Sequence, residues 1–266
     1  MSHTKKVQPG DRFNRYFKIA PALCEEVRNE VFHIRHDVYA REFGFEPTRP
    51  DQRESDAYDQ HSLHCIVKTA DADELVGCAR IVMPDPAALD APLPFEIACR
   101  DSLDRSIIDP AKLPRHRIAE VSRLAVMSGF RRRKDEKLSA DVTLNEQDFG
   151  GGEIPRFPNI PLSLYSAAVL MAQRQDIEYL FVLTEPRLSK HFAKFGVNIV
   201  PIGAPIEFHG TRVPSVMRVA EIYPGLRALF RPIWHAIEQQ LDAAYSEALP
   251  PIALEQEEYR LEPEFC

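Results

Sequence analysis

Ten residues, 118–127 (IAEVSRLAVM), constrain this chain more than any others. They have the length and apolar content of a strand inside a sheet, yet they contain Glu120 and Arg123. A buried strand holds charges at a cost of several kcal/mol per ion unless the fold brings partners to them. Side chains alternate faces along a strand, so residues three apart point to opposite sides. Glu120 and Arg123 can therefore reach one cleft only if the pleat is broken nearby, as a bulge would do. The strand runs into Ser128, Gly129 and four consecutive cations, Arg131, Arg132, Arg133 and Lys134. Residues 115–134 hold seven Arg or Lys against the single Glu120, in a chain whose net charge is −7. A buried strand with charges in it that ends in a small-residue turn and a basic cluster points to a site for an anionic group.

The overall negative charge argues against a general nucleic-acid binder while leaving room for that local patch. With 266 residues, 44% of them apolar, the chain has material for one large core. We read it as a polar lead-in (1–16), a single domain (17–250) with an insertion at about 131–160 and a helix at about 226–249, and an acidic tail (251–266). The five cysteines (24, 65, 78, 99 and 266) form no CxxC pair, which favours a reducing compartment over a disulfide framework or a zinc site. The first residues lack an apolar signal core and no run approaches about 18 apolar residues, so a soluble cytoplasmic protein is expected.

Along the chain, Pro21 precedes an amphipathic helix with Leu23, Val27, Val31, Ile34 and Val38 on one stripe. Arg35 lies at the edge of that stripe, Tyr39 one turn on, and Gly44 and Phe45 close the helix. A polar loop at 46–62 holds Glu54, Asp56 and Asp59. Residues 63–69 and 75–83 read as a hairpin, with Arg80 inside its second strand. Residues 84–114 are rich in proline and acid, with a short element at 95–99. After the charged strand come a helix at 161–174, a strand at 179–184, a helix at 185–195 stopped by Gly196, strands at 197–202 and 215–220, and the 226–249 helix. This order gives a mixed α/β or α+β sheet covered by helices on both faces.

Three other patterns carry less. Asp56, Asp59, His61 and His64 match no common metal-loop spacing, and a polar loop leading into a strand accounts for them. Cys65 falls among Leu63, Ile66 and Val67, the place of a small buried hydrophobe rather than a nucleophile. Gly150 to Gly152 follow no strand and lack a Walker lysine.

The polar residues gain meaning as a set. Arg35 with Tyr39 and Phe45, ExDxYD at 54–59, GxxR at 77–80 and ExSR at 120–123 occur in an order that resembles the acyl-homoserine-lactone (autoinducer) synthases, a branch of the GNAT acyltransferase fold. The similarity spans roughly residues 20–220. Phe45 replaces that family's usual tryptophan, and the 131–160 insertion and long C-terminal part exceed its usual size. Chain length, the IAEVSRLAV strand and the entry to the next helix at 156–165 look closer to the PEP-CTERM/exosortase-associated acyltransferases, which resemble long-chain N-acyl amino acid synthases.

The resemblance implies transfer of a fatty acyl group from an acyl-carrier-protein or coenzyme A thioester to an amine, with no resident cofactor. An S-adenosylmethionine-using lactone synthase, a coenzyme A-dependent N-acyltransferase and a non-enzymatic module of the same fold are the alternatives. It implies catalytic roles for Glu120 as general base and for Arg123, Arg80 and Asp59. Arg35, Tyr39, Phe45 and Asp56 fall to the substrate. Val126, Ser128 and the Arg131–Lys134 cations fall to the donor and its carrier protein. The buried arginines either pair with Asp56, Asp59 and Glu120 or anchor the carboxylate of an amino-acid acceptor. The partners implied are a carrier protein and an amino acid, with peripheral membrane contact through the product or the C-terminal helix. An acyl tunnel is expected between sheet and helices, lined by Leu164, Ala168, Phe181 and Leu183.

Overall fold

The computed structural model describes residues 9–131 and 160–248. Arg132, Arg133, Lys134, the glycine run at 150–152 and the acidic tail lie outside the described residues. The chain opens with helix α1 (Pro9–Tyr16) and strand β1 (Phe17–Pro21), continues through helix α2 (Glu25–Arg35), and forms the hairpin β2 (Ser62–Thr69) and β3 (Leu75–Val82). A short helix α3 (Pro94–Ala98) precedes the charged strand, β4 (Ile118–Val126). Helix α4 (Ile160–Arg174), β5 (Tyr179–Thr184), α5 (Pro186–Ala193), the two-residue strands β6 (Val200–Pro201) and β7 (Ile206–Glu207), β8 (Thr211–Arg218), α6 (Val219–Gly225) and α7 (Arg231–Ala248) complete it. The strands lie in the order β1-β2-β3-β4-β5-β8-β6, with β7 paired to β8. Every neighbouring pair is antiparallel except β4 and β5, which run parallel. No helix among the described residues is long and apolar enough to cross a membrane.

The two faces of the sheet differ in chemistry. Cys65, Val67, Ala79, Ile81, Ala119, Val121 and Leu180 project to the face covered by α4, α1 and α7 and join one large apolar cluster with Leu164, Ala168, Phe230, Trp234 and Ile237. Cys65 is fully buried there, and burial pushes its thiol up to about 12, which makes it a packing residue. The opposite face carries two separate apolar clusters. One joins Val31, Ile34 and Val38 to Ile66, Cys78 and Ala125; the other joins Val82, Leu93, Phe95, Ile118 and Phe181. Leu164 and Ala168 thus belong to one side of the sheet and Phe181, with Leu183 beside it, to the other. The four cannot line a single tunnel as expected, because the sheet runs between them.

Several elements escape periodicity. The lead-in contains α1, whose Phe13 is fully buried, and β1, immediately after it, pairs with β2 along its length. Gln240 of α7 ties this corner together: it accepts from the Ile19 N–H at 2.8 Å and donates to Asn14 at 2.7 Å. The segment at 197–202 keeps only two residues in β6, and the expected strand at 215–220 turns helical from Val219 onward. Gly196 has φ 89°, and a Cβ there would meet the Gly225 carbonyl oxygen, so glycine is required where α5 ends against α6. Phe13→Ala should cost about 3–5 kcal/mol by opening a cavity between α1 and the sheet, read as a lower urea midpoint with unchanged slope. A midpoint equal to that of the parent would mean that α1 does not share the core.

Candidate active site

Between the two apolar clusters of the polar face lies a band of buried charge. Helix α2 passes directly into a π-helix (His36–Glu42), in which Phe43 N–H bonds the Val38 carbonyl five residues back. Arg35 sits at that junction, 0% exposed. Its Nε donates to Glu54 at 2.5 Å and its Nη1 to Asp59 at 2.6 Å. The Arg80 guanidinium, 2% exposed, donates to Asp56 at 2.7 Å, to Asp59 at 3.0 Å and to the Ser122 hydroxyl at 3.0 Å. Arg123 donates to Glu54 and to Glu46, both at 3.2 Å, and approaches Asp56 at 3.5 Å. Arg123 also lies over the Tyr39 ring, whose hydroxyl donates to the Leu124 carbonyl at 3.0 Å.

The loop at 46–62 delivers these carboxylates through its own local bonds. Asp56 accepts from the Tyr58 N–H and Asp59 from the Asp56 N–H, a capping box that opens a 3-10 turn (Ala57–His61). Glu54 N–H bonds the Phe32 carbonyl, which pins the loop to α2. His61 faces the Met83 carbonyl, while Asp56 and Asp59 both accept from Arg80, so the Asp and His residues of this segment are committed to protein partners.

Strand β4 resolves the problem posed by Glu120 and Arg123. Cys78 pairs with Ala125 but Arg80 with Ser122, so Ala79 alone opposes Arg123 and Leu124. This is a β-bulge, and Arg123 takes φ 51° within it. The extra residue brings Arg123 to the same face as Ser122 and Glu120. The bulge also coincides with the end of pairing on the other side of β4. Residues 118–121 pair with 179–182 of β5, and no pairing continues beyond Val121 and Val182. Past this point the two parallel strands diverge, and the β4 backbone that faces β5 has no strand partner among the described residues.

Glu120 stands immediately before the divergence, 4% exposed. It forms no ion pair with the arginines, contrary to the pairing expected from the sequence. Its Oε2 accepts instead from the Phe95 N–H at 2.8 Å, in the first turn of α3. Burial dominates its titration and pushes it up to about 7, against the Phe95 bond and the charges of Arg80 and Arg123 and with Glu96 adding to the rise. The network carboxylates behave oppositely. Burial pushes Asp59 up as well, but its bond from Arg35 and the charges of Arg35 and Arg80 outweigh it and hold it at about 2. Glu54 is likewise lowered, burial being overcome by Arg35 and Arg123.

Glu46, Ser122 and His64 also belong to this region, and sequence reasoning passed over them as site members. Ser122 follows Glu120 at the two-residue spacing of one strand face, a signal that was available. His64 opposes Arg80 across β2 and β3, which only the register reveals. It is 2% exposed and packs edge-on to Phe32, with Asp59 3.6 Å away, and neither ring nitrogen has a hydrogen-bond partner. Burial lowers it to about 4, so the ring is neutral at pH 7.

The expected donor-side residues separate. Val126 is buried, whereas Ser128 is exposed in a 3-10 turn (Ser128–Phe130). Arg131 is paired with Glu42 and covers the Phe43 ring at 4.7 Å. Phe45 stacks on Phe43 at 5.2 Å and on His209 at 4.7 Å.

Linkage gives the pH dependence its sign. His64, lowered from 6.5 to about 4, contributes stability fully present above 6.5 and lost as pH falls through 4. Glu120, raised from 4.5 to about 7, makes the folded state bind the extra proton, so its stability falls as pH rises between those values. The two oppose one another between about pH 4.5 and 6.5. Asp59 acts lower, its stabilisation being present above 3.8 and lost as pH falls towards 2. Glu120→Gln should therefore steepen the gain in stability from pH 4.5 to 6.5, by up to about 1 kcal/mol per pH unit. Urea midpoints at the two pH values test this, and parallel pH dependence in parent and variant would refute it.

Residues 34–140 match the family model described as an acetyltransferase (GNAT) domain. No sequence among curated proteins matches the chain. Among solved structures, the coenzyme A-dependent acyl-homoserine lactone synthase BjaI, with SAM and isopentyl-CoA, aligns with a TM-score of 0.54 at 18% identity, over 84% of this chain and 89% of that one. The acyl-homoserine lactone synthase LasI aligns with a TM-score of 0.53 at 17% identity, over 80% and 96%. FeeM, an N-acyl amino acid synthase from uncultured soil microbes, aligns at 0.48 and 14% identity, over 86% and 97%. Residues 34–140 thus match a GNAT acetyltransferase domain, and the chain shares its fold with the acyl-homoserine lactone synthases BjaI and LasI.

Proposed function

We propose that this protein is an N-acyltransferase that moves a long-chain fatty acyl group from an acyl-carrier-protein thioester to the amine of an amino acid. The observation that carries the reading is the position of Glu120: a buried carboxyl, raised to about 7, beside the point where β4 leaves β5. An amine must shed a proton to attack a thioester, and a carboxylate that titrates near neutrality takes that proton efficiently. The bond from the Phe95 N–H orients the carboxylate. The unpaired β4 edge past Val121 offers backbone donors to the oxygen that gains charge when the amine nitrogen adds to the carbonyl carbon. Collapse of that intermediate breaks the carbon–sulfur bond, and the proton held by Glu120 can pass to the departing thiolate.

In this reading Arg123, the most exposed of the three arginines, meets the acceptor carboxylate, with Asp56 and Glu46 beside it for the amine. Arg80 and Asp59 take part by holding Arg123 and the loop in place, and Arg35 and Tyr39 brace them from the α2 side. Val126 and Ser128 lie along the donor's path, and Arg131 to Lys134 meet the phosphopantetheine phosphate or the acidic face of the carrier protein. Phe45 in place of the tryptophan of the lactone synthases and the long 131–160 segment favour an amino acid over S-adenosylmethionine as acceptor.

Glu120→Gln should lower kcat/KM by about 10²–10⁴-fold and abolish the acidic limb of the pH–rate profile near 7. Full activity in that variant would remove Glu120 as the base. Mass spectrometry of lipid extracts from an expressing host should find N-acyl amino acids; acyl lactones or no new lipid would each contradict the proposal. Replacing Arg131, Arg132 and Arg133 by neutral residues should raise KM for carrier-bound donors several-fold, and more strongly at low salt. A salt-insensitive, unchanged KM would place docking elsewhere.

A further inference from the structure

The open end of the divergence between β4 and β5 is bridged by aromatic rings. On the β4 side, Arg131 covers Phe43, Phe43 stacks on Phe45, and Phe45 N–H bonds the Tyr39 carbonyl. Tyr39 is in turn fastened to Leu124 of β4. On the β5 side, β8 pairs with β5 up to Thr184 and Val213 and continues into the turn that joins it to β7. His209 stands in that turn and stacks on Phe45 at 4.7 Å and 23°, with Phe208 edge-on to it at 5.1 Å. Arg212 pairs with Glu185 and anchors the hairpin to the start of α5.

His209 sits in the left-handed region of backbone space, in a tight hairpin turn. Its φ is 50°, followed by Gly210 at 94°, where Asn or Gly would sit without strain. Phe43 and Phe208 are both more than two-fifths exposed, so the stack is not maintained by burial in a core. A ring kept in the left-handed region at a cleft mouth is a reason to look for function there. Arg123, which lies over the Tyr39 ring, is with Glu46 and Asp56 among the network's most solvent-accessible charged groups, at 21, 31 and 28%. An amine with a neighbouring carboxylate finds complementary charge on that rim, whereas a fatty acyl chain does not.

We propose that His209 is a specificity-determining residue of the acceptor site: stacked on Phe45, it limits the bulk of the amine that enters between β4 and β5. This rests on the N-acyltransfer reading above. At a centroid separation of 4.7 Å the two rings are in contact and close off space beside the acceptor site, so an acceptor too bulky for the space that remains must displace His209. The hairpin therefore taxes large acceptors selectively.

The test is a competition among amino acids graded from glycine to tryptophan, with palmitoyl thioesters of acyl carrier protein and of coenzyme A as parallel donors and products quantified by mass spectrometry. His209→Asn removes the ring while suiting the backbone, and His209→Phe restores a ring. His209→Asn should raise the ratio of kcat/KM for bulky over small acceptors roughly 3–10-fold, the range expected for one aromatic pair. His209→Phe should keep the parent ratio, and the preference between the two palmitoyl donors should be the same in all three proteins. An unmoved acceptor ratio in His209→Asn, or a shift confined to the preference between the two donors, overturns the assignment of His209 and leaves acyl transfer standing. A parent protein that acylates none of the amino acids overturns both.

Discussion

The buried ion network joining Arg35, Arg80 and Arg123 to Glu46, Glu54, Asp56 and Asp59 is the constraint on which the arrangement of this protein depends. Each arginine in isolation would be costly at its position, and removing one partner of such a pair typically costs about 3–5 kcal/mol. The carboxylates come from one loop, the cations from α2, β3 and β4, so satisfying the charges fixes four segments relative to one another. The network also divides the polar face of the sheet, leaving separate apolar clusters on either side. A continuous apolar layer would have sealed this face. A charged seam instead leaves Arg123, Glu46 and Asp56 partly accessible on it.

The bulge at Arg123 links that seam to chemistry. One additional residue on β4 turns Arg123 towards Glu54 and coincides with the loss of pairing to β5. A regular strand would have left the arginine on the apolar face and the two parallel strands closed. The positive φ at Arg123 is the local cost of obtaining both an inward-facing cation and an open backbone edge.

Two carboxyl groups that both feel the charge of Arg80 titrate far apart because their surroundings differ. Asp59 meets guanidinium groups directly and is held at about 2; Glu120 meets a single backbone N–H in an apolar setting and rises to about 7. Separation of this kind distinguishes a structural charge from a group suited to proton transfer. Glu96 contributes by standing near Glu120 while bonded to Arg115 and to the Leu93 N–H, so α3 sets both the orientation and the affinity of Glu120 for its proton.

Much of this was legible in the chain itself. Strands β2 to β5 and helices α2, α4, α5 and α7 follow from apolar periodicity, and the presence of Glu120 and Arg123 within an apolar run required partners and a broken pleat. The spacing of Arg35, the 54–59 acids, Arg80 and the 120–123 segment indicated which groups belong together. Periodicity could not reveal α1 and β1, whose few apolar residues acquire a face only against α7 and β2, nor the turn to helix at Val219. The register placed His64 opposite Arg80, the sheet separated Leu164 and Ala168 from Phe181, and the meeting of two distant loops set His209 on Phe45. Local sequence determines which residues must be buried and which charges need partners, because those costs are properties of the side chains. Which partner each charge finds depends on strand order and register, and only the tertiary structure decided that Glu120 should face a backbone N–H while the arginines took every other carboxylate of the seam.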